Sequence, residues 1–413
     1  MNYPKVLVLS IPAWNSTSNT FSILFEGWPK DKIANIYLRG GKPSSNVCSE
    51  YFWINEAAVI KSIIKRSLKT GKRVEAEEEN KKSSTSKKQI KHSEILSMVR
   101  DCLWMLGRWK TPELKEFIKN FNPDVILFPI EGYSHFNNIS RYAVSLTGKK
   151  AVGYLWDDNF TYKPHPYGLT FLFRRFFIRK NVKKTVSICN NLLSINKKMQ
   201  KEVKEVFGRD SVIITKGIST ENIFPENKER SFPIKLCYAG KLIIGRDKTL
   251  ALLSKAINEV GSDKFELSIY SQTVLDEKTQ SEINISGNVL KGAVPFSELE
   301  KIYKENDILV FAEALEGKCR NSARLSFSTK ITDYLKAGKA ILALAPSDIA
   351  PTEALLEQNS VLFSDNYEKT VKLLKGLIKN PDIINNYSEK TVSLAKENYD
   401  LQEIKKLLYK ELI

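Results

Sequence analysis

Short apolar runs alternating with longer amphipathic stretches are the strongest constraint on what this chain can fold into. The first run, Lys5 to Ile11 (KVLVLSI), is rich in branched side chains and charged only at its first position, as a strand buried on both faces would be. Ile33 to Leu38, Asp124 to Ile130, Ala151 to Trp156 and Thr185 to Cys189 repeat the pattern. Between them lie helical periodicities. In Thr111 to Asn120, Pro112 suits a first turn, and Leu114, Phe117 and Ile118 mark one face. Strand, helix, strand in series predicts an α/β fold with parallel, doubly wound sheets. The alternation resumes at Ile234 to Ala239, Phe265 to Tyr270, Val289 to Leu290, Asp307 to Phe311 and Ala340 to Leu344. Two Rossmann-like domains facing a central cleft are therefore expected, with ligands beyond the carboxyl ends of the strands.

Charge places the boundary. The 413 residues carry a net charge of +17, and residues 1–225 hold 37 basic and 20 acidic side chains against 27 of each in 226–413. A nucleic-acid coat would spread its cations over both halves, so no nucleic-acid partner is expected, and the basic half is expected to meet an anionic surface. Ser219 to Pro233 (STENIFPENKERSFP), where the excess ends, reads as a linker. The predicted domains are 1–225 and 226–390, followed by a C-terminal helix over 391–413. Arg73 to Lys91 (RVEAEEENKKSSTSKKQIK), charged and Ser-rich, reads as a mobile surface insertion.

No uncharged apolar run of about 18 residues and no signal-peptide core occurs, so a cytoplasmic location is expected. Cys48, Cys102, Cys189, Cys237 and Cys319 lie far apart without a CxxC pair, and His92, His135 and His165 form no close pair. Neither a disulfide framework nor a metal site is expected, and acid-base chemistry falls mostly to carboxylates.

The most specific segment is Leu325 to Leu344, LSFSTKITDYLKAGKAILAL. Ser328 or Thr329 can cap a helix whose residues Ile331, Tyr334 and Leu335 share a face; Gly338 can stop it in a left-handed conformation, and a buried strand follows. A helix start bearing Ser, Thr and Lys can seat a phosphate, because free N–H groups, the dipole and the ammonium of Lys330 all favour an anion.

These residues resemble the C-terminal domain of GT-B glycosyltransferases, particularly bacterial capsular and exopolysaccharide enzymes with a (Ser/Pro)-(Ser/Thr)-Lys-Ile-x-(Asp/Glu)-Tyr-Leu-x-Ala-Gly-Lys signature. The match runs through Ser328, Thr329, Lys330, Ile331, Asp333, Tyr334, Leu335, Ala337, Gly338 and Lys339, with Tyr238-Ala239-Gly240-Lys241, Gly292 and Ile302 to Phe311 in the family's order. The resemblance covers most of 232–413, including a C-terminal helix that crosses back to the first domain in relatives. It implies a metal-independent transferase without a bound cofactor, using a nucleotide sugar, expected to be UDP-linked, as co-substrate. Ser328, Thr329 and Lys330 would take the diphosphate, with Lys241 and Arg246 or Lys248 aimed at the same leaving group and Asp333 on the donor side. The family's paired Glu, eight positions apart, are replaced by Leu325 and Asp333; Glu316 is the nearest acidic alternative on the donor side.

For the acceptor, Trp156-Asp157-Asp158-Asn159 follows a buried strand and resembles the strand-Asp-Asp element of related enzymes, where an Asp deprotonates the acceptor hydroxyl. Asp157 is favoured over Asp158 as that base, and inversion over retention. Glu131, Tyr133 and His135 follow the run Asp124 to Ile130 and are expected near the acceptor, as are Asn15, Ser16 and Thr17 after the first strand. In Leu169 to Lys184 (LTFLFRRFFIRKNVKK), Phe173, Phe176 and Phe177 interleave with Arg174, Arg175, Arg179 and Lys180, a pattern suited to an anionic membrane face. The expected activity is transfer of a sugar to a hydroxyl of a glycan, lipid-linked, at the inner face of the cell membrane, in capsular, exopolysaccharide or other cell-surface polysaccharide synthesis. A nucleotide-sugar epimerase of the same fold and a non-catalytic binder of anionic polymers are the alternatives.

Overall fold

The computed structural model describes residues 3–14, 20–77, 94–163, 168–287, 289–357 and 359–413. The chain divides into two compact units. The first takes in the chain up to Thr215, apart from 163–165, together with Glu403–Ile413; the second is Lys216–Gln402 joined by 163–165.

The first unit contains β1 (Val6–Pro12), β2 (Ile33–Arg39), β3 (Glu50–Ile54), β4 (Gly71–Val74), β5 (Val125–Pro129), β6 (Lys150–Leu155), β7 (Asn191–Ser194) and β8 (Val212–Ile213), in the sheet order β4-β3-β2-β1-β5-β6-β7-β8. Only β4 runs antiparallel to its neighbour. The second unit contains β9 (Ile234–Ala239), β10 (Phe265–Tyr270), β11 (Leu290–Gly292), β12 (Ile308–Ala312), β13 (Ala340–Leu344) and β14 (Leu362–Ser364), all parallel in the order β11-β10-β9-β12-β13-β14. Strand order reverses between β1 and β5 and between β9 and β12. A crevice for ligands forms beyond the carboxyl ends of the strands at such a reversal.

Two-sided burial explains the unbroken apolar runs. In the second unit Ile234, Leu236 and Tyr238 of β9 join one core layer with Ile308, Val310, Leu342 and Leu344. Cys237 and Ala239 join the opposite layer with Leu309, Phe311, Ile341 and Ala343. Successive side chains enter opposite cores, so nearly every position is apolar; Lys235 and Glu266, the second residues of β9 and β10, are charged and exposed. The helix Pro112–Phe121 forms as its sequence predicts: the Thr111 side chain accepts from Leu114 N–H, Pro112 occupies the first turn, and Leu114, Phe117 and Ile118 are buried.

Three sequence expectations are corrected. Thr185 to Cys189 is not a strand: the helix Leu169–Val186 ends within it, burying Thr185 and Val186, and the strand is Asn191–Ser194. Arg73 and Val74, the start of the expected insertion, belong to β4, where Arg73 pairs with Glu50 (3.0 Å); residues 78–91 of that insertion lie outside the described residues.

The expected linker 219–233 is packed on the second unit. Ile223 is buried there, and Arg230, with its side chain 1% exposed, bonds Asp307 (2.6 Å), Glu226 (2.8 Å) and Asn385. Lys339 closes the group on Glu226 (2.6 Å). Burial alone would raise Asp307, but Lys228, the Lys235 N–H and Arg230 hold its carboxyl below the ordinary value. The charges that make this segment read as solvated are drawn inward by complementary charges.

Gly338 ends the helix Thr329–Ala337 at φ 65°, and a Cβ there would run into the Phe224 carbonyl oxygen of the same packed segment. Gly338→Ala is therefore expected to destabilise the protein by about 2 kcal/mol, from left-handed strain and overpacking together. Chemical denaturation of the two proteins measures this; equal midpoints and slopes would refute it.

Candidate functional site

In the second unit, polar groups collect where β9 and β12 diverge. After β9 the chain turns through Gly240 at φ 151°, and a Cβ at this position would collide with the ammonium of Lys330. Glycine is needed there so that the lysine can lie against the backbone. Lys330 is the second residue of the helix Thr329–Ala337. Its Nζ sits 4.0 Å from the centroid of the Tyr238 ring and donates to the Tyr238 hydroxyl (2.6 Å), which in turn donates to the Lys241 carbonyl (2.9 Å). Burial, with the nearby Arg246 and against Glu313, pushes the Lys330 ammonium down to about 7. Lys330 is thus a cation held in place by an aromatic face and a hydroxyl, neither of which neutralises it.

Arg246 opens the helix Arg246–Val260 and grips Glu313, the residue after β12, through two bonds of 2.9 and 2.8 Å. Thr249 fixes the Glu313 carbonyl (2.8 Å). Arg246, which the sequence reading aims at a leaving group, therefore has its charge matched by a carboxylate. Sequence reasoning does not reach Glu313 and Tyr238 as site residues. The available signal was position: Glu313 follows β12 as Lys241 follows the β9 turn. Lys241 and Lys248 are exposed, and Glu316 is exposed at the start of the turn Gly317–Ala323.

Ser328 stands at the N-cap, but its side chain makes no capping bond, so the expected cap is corrected, and Thr329 is exposed. An uncapped helix start keeps its N–H groups available to an anion. Asp333, one turn further on, faces Lys216 (3.6 Å), and burial raises its carboxyl above the ordinary value.

In the first unit, the carboxyl ends of β2, β5 and β6 bring a second group together. Glu131, two residues beyond β5, is buried; it accepts from Trp156 Nε1 (3.1 Å), and its own N–H donates to Asn137 (3.1 Å). Burial, reinforced by the Asp157 charge, pushes its carboxyl up to about 7. Tyr133 lies under two guanidinium groups, Arg39 at 5.1 Å and Arg100 at 5.4 Å, both paired with Glu56.

The adjacent aspartates, both beyond the end of β6, meet different surroundings. Asp157 is exposed, whereas Asp158 accepts from the Thr161 N–H (2.9 Å) and hydroxyl (2.5 Å) and so closes a turn. Both carboxylate oxygens of Asp158 are engaged in that turn. His135 is corrected: it is buried, stacked on Trp104 at 4.5 Å and bonded through Nδ1 to Asp101 (2.8 Å). Asn15, Ser16 and Thr17 lie outside the described residues.

The helix Leu169–Val186 leaves Phe173, Phe176, Phe177 and Lys180 exposed, as expected. Arg174 and Arg175 are corrected, because they point inward. Arg174 pairs with Glu94 (2.7 Å), and Arg175 bonds the Asp158 carbonyl (2.8 Å). Arg179 stacks on Tyr162 at 4.6 Å.

No protein-family model matches this chain, and no curated protein matches it in sequence. Its fold matches solved structures over nearly its whole length. HepE from Anabaena, in complex with UDP and glucose, aligns with a TM-score of 0.61 at 11% identity, covering 99% of each chain. A glycosyltransferase from Rickettsia africae aligns at 0.58 and 13% identity, covering 100% of this chain and 99% of the other. Sucrose-phosphate synthase from Thermosynechococcus elongatus aligns at 0.63 and 8% identity, covering 98% of each. The fold is GT-B, with two Rossmann-like units in one chain.

The raised Glu131 carboxyl gives a pH prediction. The folded protein holds a proton there that the unfolded chain releases at its ordinary value of 4.5, so this group's contribution to stability falls as pH rises from about 4.5 through about 7. Glu131→Gln keeps the acceptor for Trp156 and should narrow the loss of stability between pH 4.5 and 8 by on the order of 2 kcal/mol. Denaturant unfolding across that range tests it; parallel pH profiles for the two proteins would exclude the effect.

Proposed function

We propose that this protein is a glycosyltransferase that moves a sugar from a nucleotide-sugar donor, UDP-linked, to a hydroxyl of a glycan. One observation carries the reading: a part-buried lysine, held on an aromatic face rather than by a carboxylate, lies at the uncapped start of a helix beside the reversal of a parallel sheet. That arrangement suits a diphosphate. When the bond from sugar to phosphate breaks, charge develops on the departing nucleoside diphosphate, and fixed N–H dipoles with an under-solvated ammonium stabilise it without reorganisation. The fold neighbour HepE, solved with UDP and with UDP-glucose, supports this choice of donor.

In this reading Lys330 and the N–H groups at Ser328 and Thr329 hold the diphosphate, with Lys241 at its open side. Glu313 aligns Arg246, while Asp333 and the exposed Glu316 and Lys248 border the donor. In the first unit Asp157 takes the proton of the acceptor hydroxyl, and Glu131, neutral or charged near pH 7, tunes it. Tyr133, held by the Arg39 and Arg100 guanidinium groups, borders the acceptor. The chemistry needs no metal or bound cofactor. The acceptor is a lipid-linked glycan of capsular or other cell-surface polysaccharide synthesis, and the enzyme acts peripherally at the cytoplasmic face of the membrane.

Titration calorimetry with UDP, other nucleoside diphosphates and their sugars tests the donor seat. UDP affinity should weaken as pH rises from 7 to 9, by up to about tenfold per unit, because the bound anion favours the ammonium form of Lys330. Lys330→Met should lower affinity by roughly 10²- to 10³-fold and flatten the slope. If no nucleoside diphosphate binds the wild type, the donor reading falls. Asp157→Asn should keep UDP affinity within about twofold and reduce transfer at least 10²-fold; unaltered transfer would remove Asp157 from the mechanism.

A further inference from the structure

On the helix Leu169–Val186, Phe171, Ile178 and Val182 face the core. The opposite stripe, at helical spacing, is Leu169, Phe173, Phe176, Phe177, Lys180 and Lys184, all exposed. Its first three turns are purely apolar and its last turns cationic, and the helix contains no acidic residue. A soluble surface has no use for four exposed phenyl or isobutyl groups in one row.

The helix Glu94–Leu106 lies beside it, tied by the Arg174–Glu94 pair, and carries a matching row: Ile95, Val99, Cys102 and Leu106, with Leu106 71% exposed. Between the rows runs an open groove of about 610 Å³ lined by Met98, Val99, Leu103, Leu106, Leu169 and Phe173 among others. That volume is within the range of small-ligand pockets, roughly 300–1,000 Å³, but this groove has almost nothing polar to orient a polar ligand. Two features narrow the occupant. The lining is almost entirely apolar, and the stripe continues into Lys180, Lys183 and Lys184, which favour anions immediately beside it. An anionic bilayer offers both at the right succession of depths, acyl chain and then headgroup phosphate.

We propose that these two helices form a lipid-docking face, in which an acyl chain of an anionic bilayer enters the groove while Lys180, Lys183 and Lys184 contact headgroup phosphates. This deepens the peripheral-membrane part of the proposed function and is independent of the donor chemistry. Membrane contact is thereby assigned to two helices, one of them 75 residues earlier in the chain and uncharged along its exposed row. Arg174 and Arg175 are excluded from the face because they are engaged inside the unit.

Co-sedimentation of the full chain with vesicles tests the face. The protein should pellet with phosphatidylcholine vesicles containing one third phosphatidylglycerol and remain in solution with phosphatidylcholine alone. Phe173→Asp with Phe177→Asp should reduce partitioning at least tenfold, and Val99→Asp, on the other helix, should do so independently. Lys180→Gln with Lys184→Gln should weaken binding at low salt and little at high salt. Circular dichroism melting confirms that each variant folds. Wild-type protein that ignores anionic vesicles, or folded variants that bind like wild type, would overturn the proposal. So would a wild-type dimer in light scattering that the same variants dissolve, since a second copy would then own the face. UDP calorimetry on the same samples reports separately on the donor seat, so failure of one reading leaves the other measurable.

Discussion

The contact of the Lys330 ammonium with Tyr238 sets the terms for everything around it in the second unit. An ammonium packed at 4.0 Å from a ring centroid loses water that its single hydroxyl partner does not replace. The backbone must then come close, which makes residue 240 a glycine, and the tyrosine must be anchored, which its bond to the Lys241 carbonyl does. The cost of holding that charge is seen in its depressed affinity for protons. A diphosphate at the same place would reverse the penalty, so the site gains most of its electrostatic stabilisation only when filled.

The second unit treats its other enclosed cations differently. Arg246 is matched at once by Glu313, and Arg230 and Lys339 by Glu226 and Asp307. These pairs fix the loop after β12 and the segment 216–233. Truncating one partner would strand the other, a destabilisation of about 3–5 kcal/mol where burial is complete. Charges that hold shape are thus neutralised within the fold, whereas the one that faces the sheet reversal is not.

Periodicity made much of this legible. Strands buried on both faces leave an unbroken apolar run, and β1, β2, β5, β6, β9, β10, β12 and β13 were read from such runs within a residue or two. The short β7, β8 and β14, and β3 with its Glu50-Tyr51 start, lack that signal. Thr185 to Cys189 misled because β-branched residues buried at a helix end look like a strand. Lys330, Gly338 and the Asp157 turn were visible from local motifs. Tertiary pairing was not: nothing near Arg246 in sequence announces Glu313, 67 positions away, and nothing near His135 announces Asp101. The polar appearance of 219–233 concealed a buried ion cluster for the same reason, since its partners Asp307, Lys339 and Asn385 come from distant segments.

The chain passes from the first unit to the second near residue 215 and returns near 402, and the two passages run side by side: Ile218 exchanges backbone bonds with Tyr399 and Leu401 (2.8 and 2.9 Å). The returning helix Leu401–Leu412 then packs into the first unit, where Tyr409 meets Trp28 and Tyr3, and Glu411 accepts from Asn191 (2.7 Å). In chain order, the second unit is therefore a cassette inserted into the first. A fragment cut at 215 would carry every strand of its sheet yet lack the helix that closes it, and supplying Leu401–Leu412 in trans is the natural route to complementing such a fragment.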